Sequence, residues 1–355
     1  VSHLADPFIY CKIVVVRLTM ENLLNYAHLR RDIDFSVCPF NEVDMLVCAD
    51  LSYVDWDGIV EKEEVSLEEA CRKYLSLYSE KELKSKYTFS INLPHLIDAL
   101  QDTIRYGNIK LKNYKKVYSD EDVIQFSVVT LVLPDGSLVL SFSGTDGSIT
   151  GWKENLMMTY SKDLPCQILA KDYVKETIAD IPETSYLFGL KKKKVYPKMY
   201  LTGHSKGGNL AMYAYLKNPK LQGYIEGVKS FDGPGFADGF WQGDEDVSKI
   251  TNYIPKDSIV GRVLDHREQT KVLEAQGSGL VQHDTLMWSV DVKDFNYCDA
   301  LTKESDDLLE YVKTVAASMD SYYNRVMQVF NAGNNSTTTY PTSTLAKQLK
   351  TVARL

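Results

Sequence analysis

The chain has 355 residues, 44% hydrophobic and 25% charged, ordinary for a soluble globular protein and enough for one large domain or two modest ones. Its formal net charge of -8 argues against nucleic acid as a partner, because binding a polyanion needs a basic face. No apolar run is long enough to span a membrane as a helix, so membrane contact is expected only at the periphery.

Residues 1–19 precede Met20, and Lys12 and Arg17 interrupt their apolar part. No small-residue cleavage site follows, which makes a poor signal peptide; Met20 reads as the natural start and residues 1–19 as a non-native extension. Residues 20–115 read as a mainly helical N-terminal region. Ser66-Leu67-Glu68-Glu69 has the form of a capping box, with Ala70, Tyr74, Leu75 and Tyr78 at helical spacing behind it. Pro94 opens another helix carrying Leu96, Ile97, Leu100 and Ile104.

The texture changes near residue 117, and residues 116–300 read as an α/β core. Val123 to Leu133 is rich in β-branched and aromatic residues, Pro134-Asp135-Gly136 is a turn, and Leu138 to Phe142 is a second apolar run. Helices at 166–179 and 206–217 then alternate with strands at 195–202, 225–232, 250–254 and 270–276. Such alternation implies a mostly parallel sheet flanked by helices. Lys191 to Lys194 read as a solvated surface turn.

Residues 301–355 are expected to form an amphipathic helix and a flexible tail. Leu308, Val312, Val315, Met319, Tyr322, Val326 and Val329 alternate steps of four and three. They fit either a homodimer seam through 308–329 or a helix docked on its own domain. Residues 331–343 are polar and of low complexity and include the sequon Asn335-Ser336-Thr337. The six cysteines, Cys11, Cys38, Cys48, Cys71, Cys166 and Cys298, include no C-x-x-C pair and no metal-ligand spacing. They read as small buried hydrophobes of a protein in a reducing compartment, the cytoplasm.

The chemistry centres on residues 195–216, where an apolar strand runs into Gly203-His204-Ser205-Lys206-Gly207 and an amphipathic helix follows at once. This is G-x-S-x-G in the strand–turn–helix context of a nucleophile elbow. Flanking glycines relieve the tight turn, and the Ser205 hydroxyl is raised to a helix N-terminus that favours an anion. Of the histidines, His204 lies within the elbow and reads as structural, and His266 precedes a strand. His283 lies in the loop after the strand 270–276 and is the expected base. The acid is expected at Asp257, after the strand 250–254, rather than at Asp232, whose side chain is expected to hold the Gly233-Pro234-Gly235 turn. The oxyanion donors are expected at Lys206 N–H and at Thr145 in the Ser143-Gly144-Thr145 loop. No metal or cofactor is needed for this chemistry.

The set FSGT at 142–145, Trp152, GHSKGG at 203–208, and the aspartate and histidine at 257 and 283 resembles the class-three lipases. Together with CPFNEVDMLVCADLSYVDW (38–56), SGTDGSITGWKENL (143–156) and SFDGPGF (230–236), it resembles more closely the bacterial Mbeg-like lipase-like family, whose function is poorly defined. The similarity spans about residues 20–295. It implies an α/β-hydrolase fold and a carboxylic-ester hydrolase. It also implies that residues 146–165 are either a lid, with Trp152, Leu156, Met157 and Met158 as an apolar face for an acyl chain, or a plain buried helix. The chain departs from the lipase pattern at Ser143, where that family usually has arginine, and in lacking the disulfides of secreted members. The resemblance implies cleavage of lipid-like or short-to-medium acyl carboxylic esters through an acyl-enzyme on Ser205. A thioesterase, acyltransferase or amidase could use the same triad, and a non-catalytic scaffold could keep the fold.

Overall fold

The computed structural model describes residues 22–86, 92–186, 191–311 and residue 314. The chain divides into a unit of residues 1–308 and a second of residues 309–355. The proposed extension at 1–19 and most of the heptad positions of 308–329 lie outside the described residues.

The strands are β1 (Val65–Ser66), β2 (Lys110–Ser119), β3 (Ile124–Val132), β4 (Leu138–Phe142), β5 (Glu183–Tyr186), β6 (Lys191–Lys194), β7 (Met199–His204), β8 (Ile225–Phe231), β9 (Ile250–Pro255) and β10 (Gln269–Leu273). Eight of them form one sheet in the order β1-β2-β3-β4-β7-β8-β9-β10. From β4 to β10 every pair is parallel, while β1 to β4 pair antiparallel. This is an α/β-hydrolase sheet, mostly parallel and flanked by helices.

The helices are α1 (Leu23–Arg30), α2 (Glu42–Leu51), α3 (Leu67–Ser76), α4 (Glu80–Lys86), α5 (Leu93–Ala99), α6 (Ile104–Gly107), α7 (Ile149–Met157), α8 (Pro165–Ala179) and α9 (Lys206–Leu216). Strand periodicity sorts the side chains onto two faces. Val129, Leu131 and Val139 join a cluster built with the N-terminal helices. Phe126, Val128, Leu138, Leu140 and Phe142 join one built with α8 and α9. Helix α2 is apolar on nearly every side and buried from Val43 to Leu51, as a helix pressed between layers should be. Its Asp44 accepts from Arg105 Nε at 2.8 Å and Nη2 at 2.5 Å, and from the Tyr106 hydroxyl at 2.8 Å. That buried pair ties α2 to α6.

Two expectations need correction. Strand β2 begins at Lys110, inside the region read as helical. Its side chains are largely half-exposed and lysine-rich because only the two-residue β1 lies beyond it at the sheet edge, and this hid the apolar run a buried strand displays. Lys191–Lys194 are not a turn but β6, paired antiparallel with β5, with Lys194 opposite Glu183. An opposite-charge register of this kind supports a strand that propensity alone would not.

Candidate active site

Strand β7 delivers Ser205 between its last residue, His204, and the first turn of α9. Ser205 has φ 58° and ψ −130°, a conformation that costs a non-glycine residue about 1–3 kcal/mol and persists only where the surroundings enforce it. They do so here. A Cβ on Gly203 would strike the backbone of Gly207, and one on Gly207 would strike the carbonyl of Phe142. Strand, turn and helix therefore meet more closely than any side chain allows. Ser205 N–H donates to Phe231 O on β8 at 2.9 Å, which fixes the turn to the neighbouring strand.

His283 lies in a 3₁₀ turn after β10. Its Nδ1 pairs with Asp232 Oδ2 at 2.6 Å. A carboxylate only accepts, so Nδ1 carries the proton and Nε2 presents its lone pair. Asp232 is buried, has φ 51°, and its other oxygen accepts from Gly261 N–H at 3.0 Å and from the Ser258 hydroxyl. The expectation of Asp257 as histidine partner is thus corrected. Asp257 Oδ2 accepts from Gln282 Nε2 at 2.9 Å and its Oδ1 from the Thr302 hydroxyl. The reason is strand order. Asp232 directly follows β8, which lies beside the elbow strand β7, whereas Asp257 follows β9, one strand further out. Asp232 also does not hold the glycine–proline turn with its side chain. His266 is turned elsewhere, onto Glu268 Oε1 at 2.6 Å.

Ser205 and His283 make no hydrogen bond here; such contacts are often long before substrate binds. The imidazole is held over the elbow by His204, whose ring centroid lies 4.5 Å from that of His283. Burial holds the His204 pKa well below its ordinary value, with the neighbouring His283 adding to the effect, so His204 packs as a neutral ring. The Tyr53 hydroxyl meets His204 Nδ1 at 2.8 Å. Thr285, two residues beyond His283, donates to Asp50 Oδ2 at 2.8 Å. Two residues at the end of α2 and just past it therefore buttress the histidine loop. Nothing in the local sequence announced them.

Lys206 N–H is at the first position of α9, where no helical acceptor exists. The Lys206 side chain was unexpected. It is buried and ion-paired with buried Glu154 of α7, and its Nζ also donates to Gln125 O at 2.6 Å and Oε1 at 2.7 Å. Its only sequence signal is a lysine opening an otherwise apolar helix. Thr145 is buried and its hydroxyl donates to Asn155 Oδ1 at 3.0 Å. The loop that lacks the lipase arginine is supported by Gln125, whose Nε2 donates to Gly144 O at 3.3 Å.

A cavity of about 120 Å³ opens on Ser205, lined by Met158, Pro234, Val260, Val263 and Leu264 together with the polar Asn155, Thr159 and Lys206. Met158 is buried, while Trp152 and Leu156 are 46% and 48% exposed and do not line this cavity, and Met157 packs on the α8–α9 core. Of the four residues considered for an acyl-facing surface, Met158 alone reaches the Ser205 cavity. A larger cavity, about 280 Å³, touches Thr145, His204, Tyr53 and Asp50 but not Ser205. Among the described residues no group of three His, Cys, Asp or Glu side chains converges as metal ligands do. No helix there is long and apolar enough to cross a membrane.

The solved structures similar to this chain include fungal lipases. The lipase of Rhizopus microsporus var. chinensis is 12% identical over 75% of this chain and 81% of its own, with a TM-score of 0.39. Lipase II of Rhizopus niveus is 10% identical over 76% and 89%, at 0.38. A further fungal lipase is 14% identical over 74% and 87%, at 0.41. No curated protein sequence matches. The Mbeg1-like family matches residues 100–330, a span that holds the elbow, both aspartates and His283, and the chain belongs to the Mbeg1-like family.

Proposed function

We propose that this protein is a serine hydrolase of carboxylic esters, with Ser205 as nucleophile, His283 as general base and Asp232 as the carboxylate that orients it. The observation that carries the reading is the His283–Asp232 pair, at 2.6 Å, beside a serine strained into an elbow at φ 58°. In acylation the Ser205 hydroxyl proton passes to His283 Nε2 as the Oγ–carbon bond forms. The carbonyl oxygen becomes an oxyanion facing the N–H groups of Lys206 and Thr145. Its collapse breaks the bond to the leaving alcohol, which takes the proton from the imidazolium. Water then repeats the sequence on the acyl-enzyme, giving the acid and restoring Ser205.

The test is labelling by a fluorophosphonate and hydrolysis of p-nitrophenyl esters by wild type and Ser205→Ala. Labelling and turnover that vanish in the variant support the reading. An unlabelled wild type without turnover on any ester would sink it and favour a non-catalytic role.

A further inference from the structure

We infer that this site selects a short acyl group, about butyrate in size, and excludes the long chains of lipid esters; the inference rests on the serine-hydrolase reading above. The cavity that opens on Ser205 measures about 120 Å³. An apolar cavity of ~150 Å³ accepts benzene, so this one has room for roughly five heavy atoms. Its walls are Met158, Pro234, Val260, Val263 and Leu264, with Asn155, Thr159 and Lys206 completing the lining, so most of what a chain would touch is apolar. Mostly apolar walls take a hydrocarbon segment in preference to a second carboxylate or a sugar.

A small pocket excludes long chains only if its walls cannot move apart. Two observations hold them. Met158 caps α7, and α7 is fastened from within rather than hinged. Glu154, fully buried, pairs with Lys206 at the start of the nucleophile helix, and Asn155 accepts from Thr145 in the oxyanion loop. Opening α7 would strand the Lys206 charge in the interior without its partner, which a buried ion cannot tolerate. It would also dismantle both oxyanion supports, so the enzyme that opened its lid would lose its catalytic geometry. On the opposite wall Leu264 sits at φ 71°, a strained conformation for a bulky residue that is retained where the surroundings demand a side chain in one place. With Ser205 and Asp232, it is the third non-glycine residue with positive φ around this site.

The experiment is kcat/KM across p-nitrophenyl esters from acetate to palmitate, on the full chain, with fluorophosphonate labelling of Ser205 in parallel. The expected result is an optimum between acetate and hexanoate and a fall of about tenfold or more by octanoate, since a chain that overfills a rigid pocket is rejected by ~10–200-fold. Met158→Ala is expected to move the optimum to longer esters. Val263→Phe, at a half-buried wall where folding is less at risk, is expected to narrow it toward acetate. An optimum at decanoate or beyond, or variants that leave the profile unchanged while Ser205 is labelled, overturns the inference and leaves the hydrolase reading standing. Absence of labelling and of turnover at every length overturns both.

Discussion

Replacing Asp232 by asparagine separates the two candidate acids, and the hydrogen bonds around it set the size of the effect. Asp232 Oδ1 accepts from Gly261 N–H at 3.0 Å and Oδ2 from His283 Nδ1 at 2.6 Å. Both partners donate, and an asparagine amide offers one acceptor and one donor. If its oxygen stays on Gly261, its NH2 faces His283 and forces Nδ1 to accept. The proton then moves to Nε2, and the base is lost. If the amide turns over, the NH2 meets the Gly261 N–H in a buried site, which costs about 1–3 kcal/mol. The first arrangement is therefore favoured, and a wrong tautomer of this kind lowers kcat by about 10⁴, or roughly 5 kcal/mol of transition-state stabilisation. Asp257→Asn is expected to cost less than about tenfold, because among the described residues the Asp257 carboxylate hydrogen-bonds the Gln282 and Thr302 side chains rather than His283. The assay is single-turnover acylation with a short p-nitrophenyl ester, with urea unfolding to show that both variants fold. A collapse of kcat in Asp257→Asn with Asp232→Asn near wild type would refute the reasoning and return the acid to β9.

Burial, offset by the Thr285 hydroxyl and reinforced by Asp284, pushes the Asp50 carboxyl up to about 8. Its folded-state pKa thus lies above the unfolded value near 4, so the native chain holds a proton the unfolded chain has lost; the stability is present below about pH 4 and fades as pH rises toward 8, at up to about 1.4 kcal/mol per pH unit. Urea titrations from pH 5 to 8 should show this decline in wild type and a flatter profile in Asp50→Asn; parallel slopes would contradict it. Glu154→Gln leaves Lys206 charged and unpaired in the interior and should cost about 3–5 kcal/mol, whereas the double change to methionine at 154 and 206 should cost less than that single change, as read by urea midpoints. Asp44→Ala strips Arg105 and Tyr106 of a shared buried acceptor and should also lose about 3–5 kcal/mol in the same assay. Loss below ~1 kcal/mol would mean that water reaches the guanidinium.

The local sequence was enough to locate the strand–turn–helix elbow around Ser205, because the elbow is a local structure: its glycines, its strand and its helix lie within residues 199–216. Alternation of apolar strands and helices likewise announced the parallel sheet, since side-chain periodicity is a property of each segment alone. That His283 lies in a loop after a late strand was legible for a related reason. Partnership is another matter. Which aspartate faces His283 depends on β8 lying beside β7 and on a positive φ at Asp232, and neither is written in the residues around it. The same holds for the Lys206 side chain, which is enclosed by Glu154 and Gln125, 52 and 81 residues away in sequence. Tyr53 and Asp50 reach the histidine loop only because α2 packs across the sheet. Local chemistry can be read from local sequence, but the pairing of charges across the interior is decided by strand order and packing, where desolvation makes each buried group demand a partner.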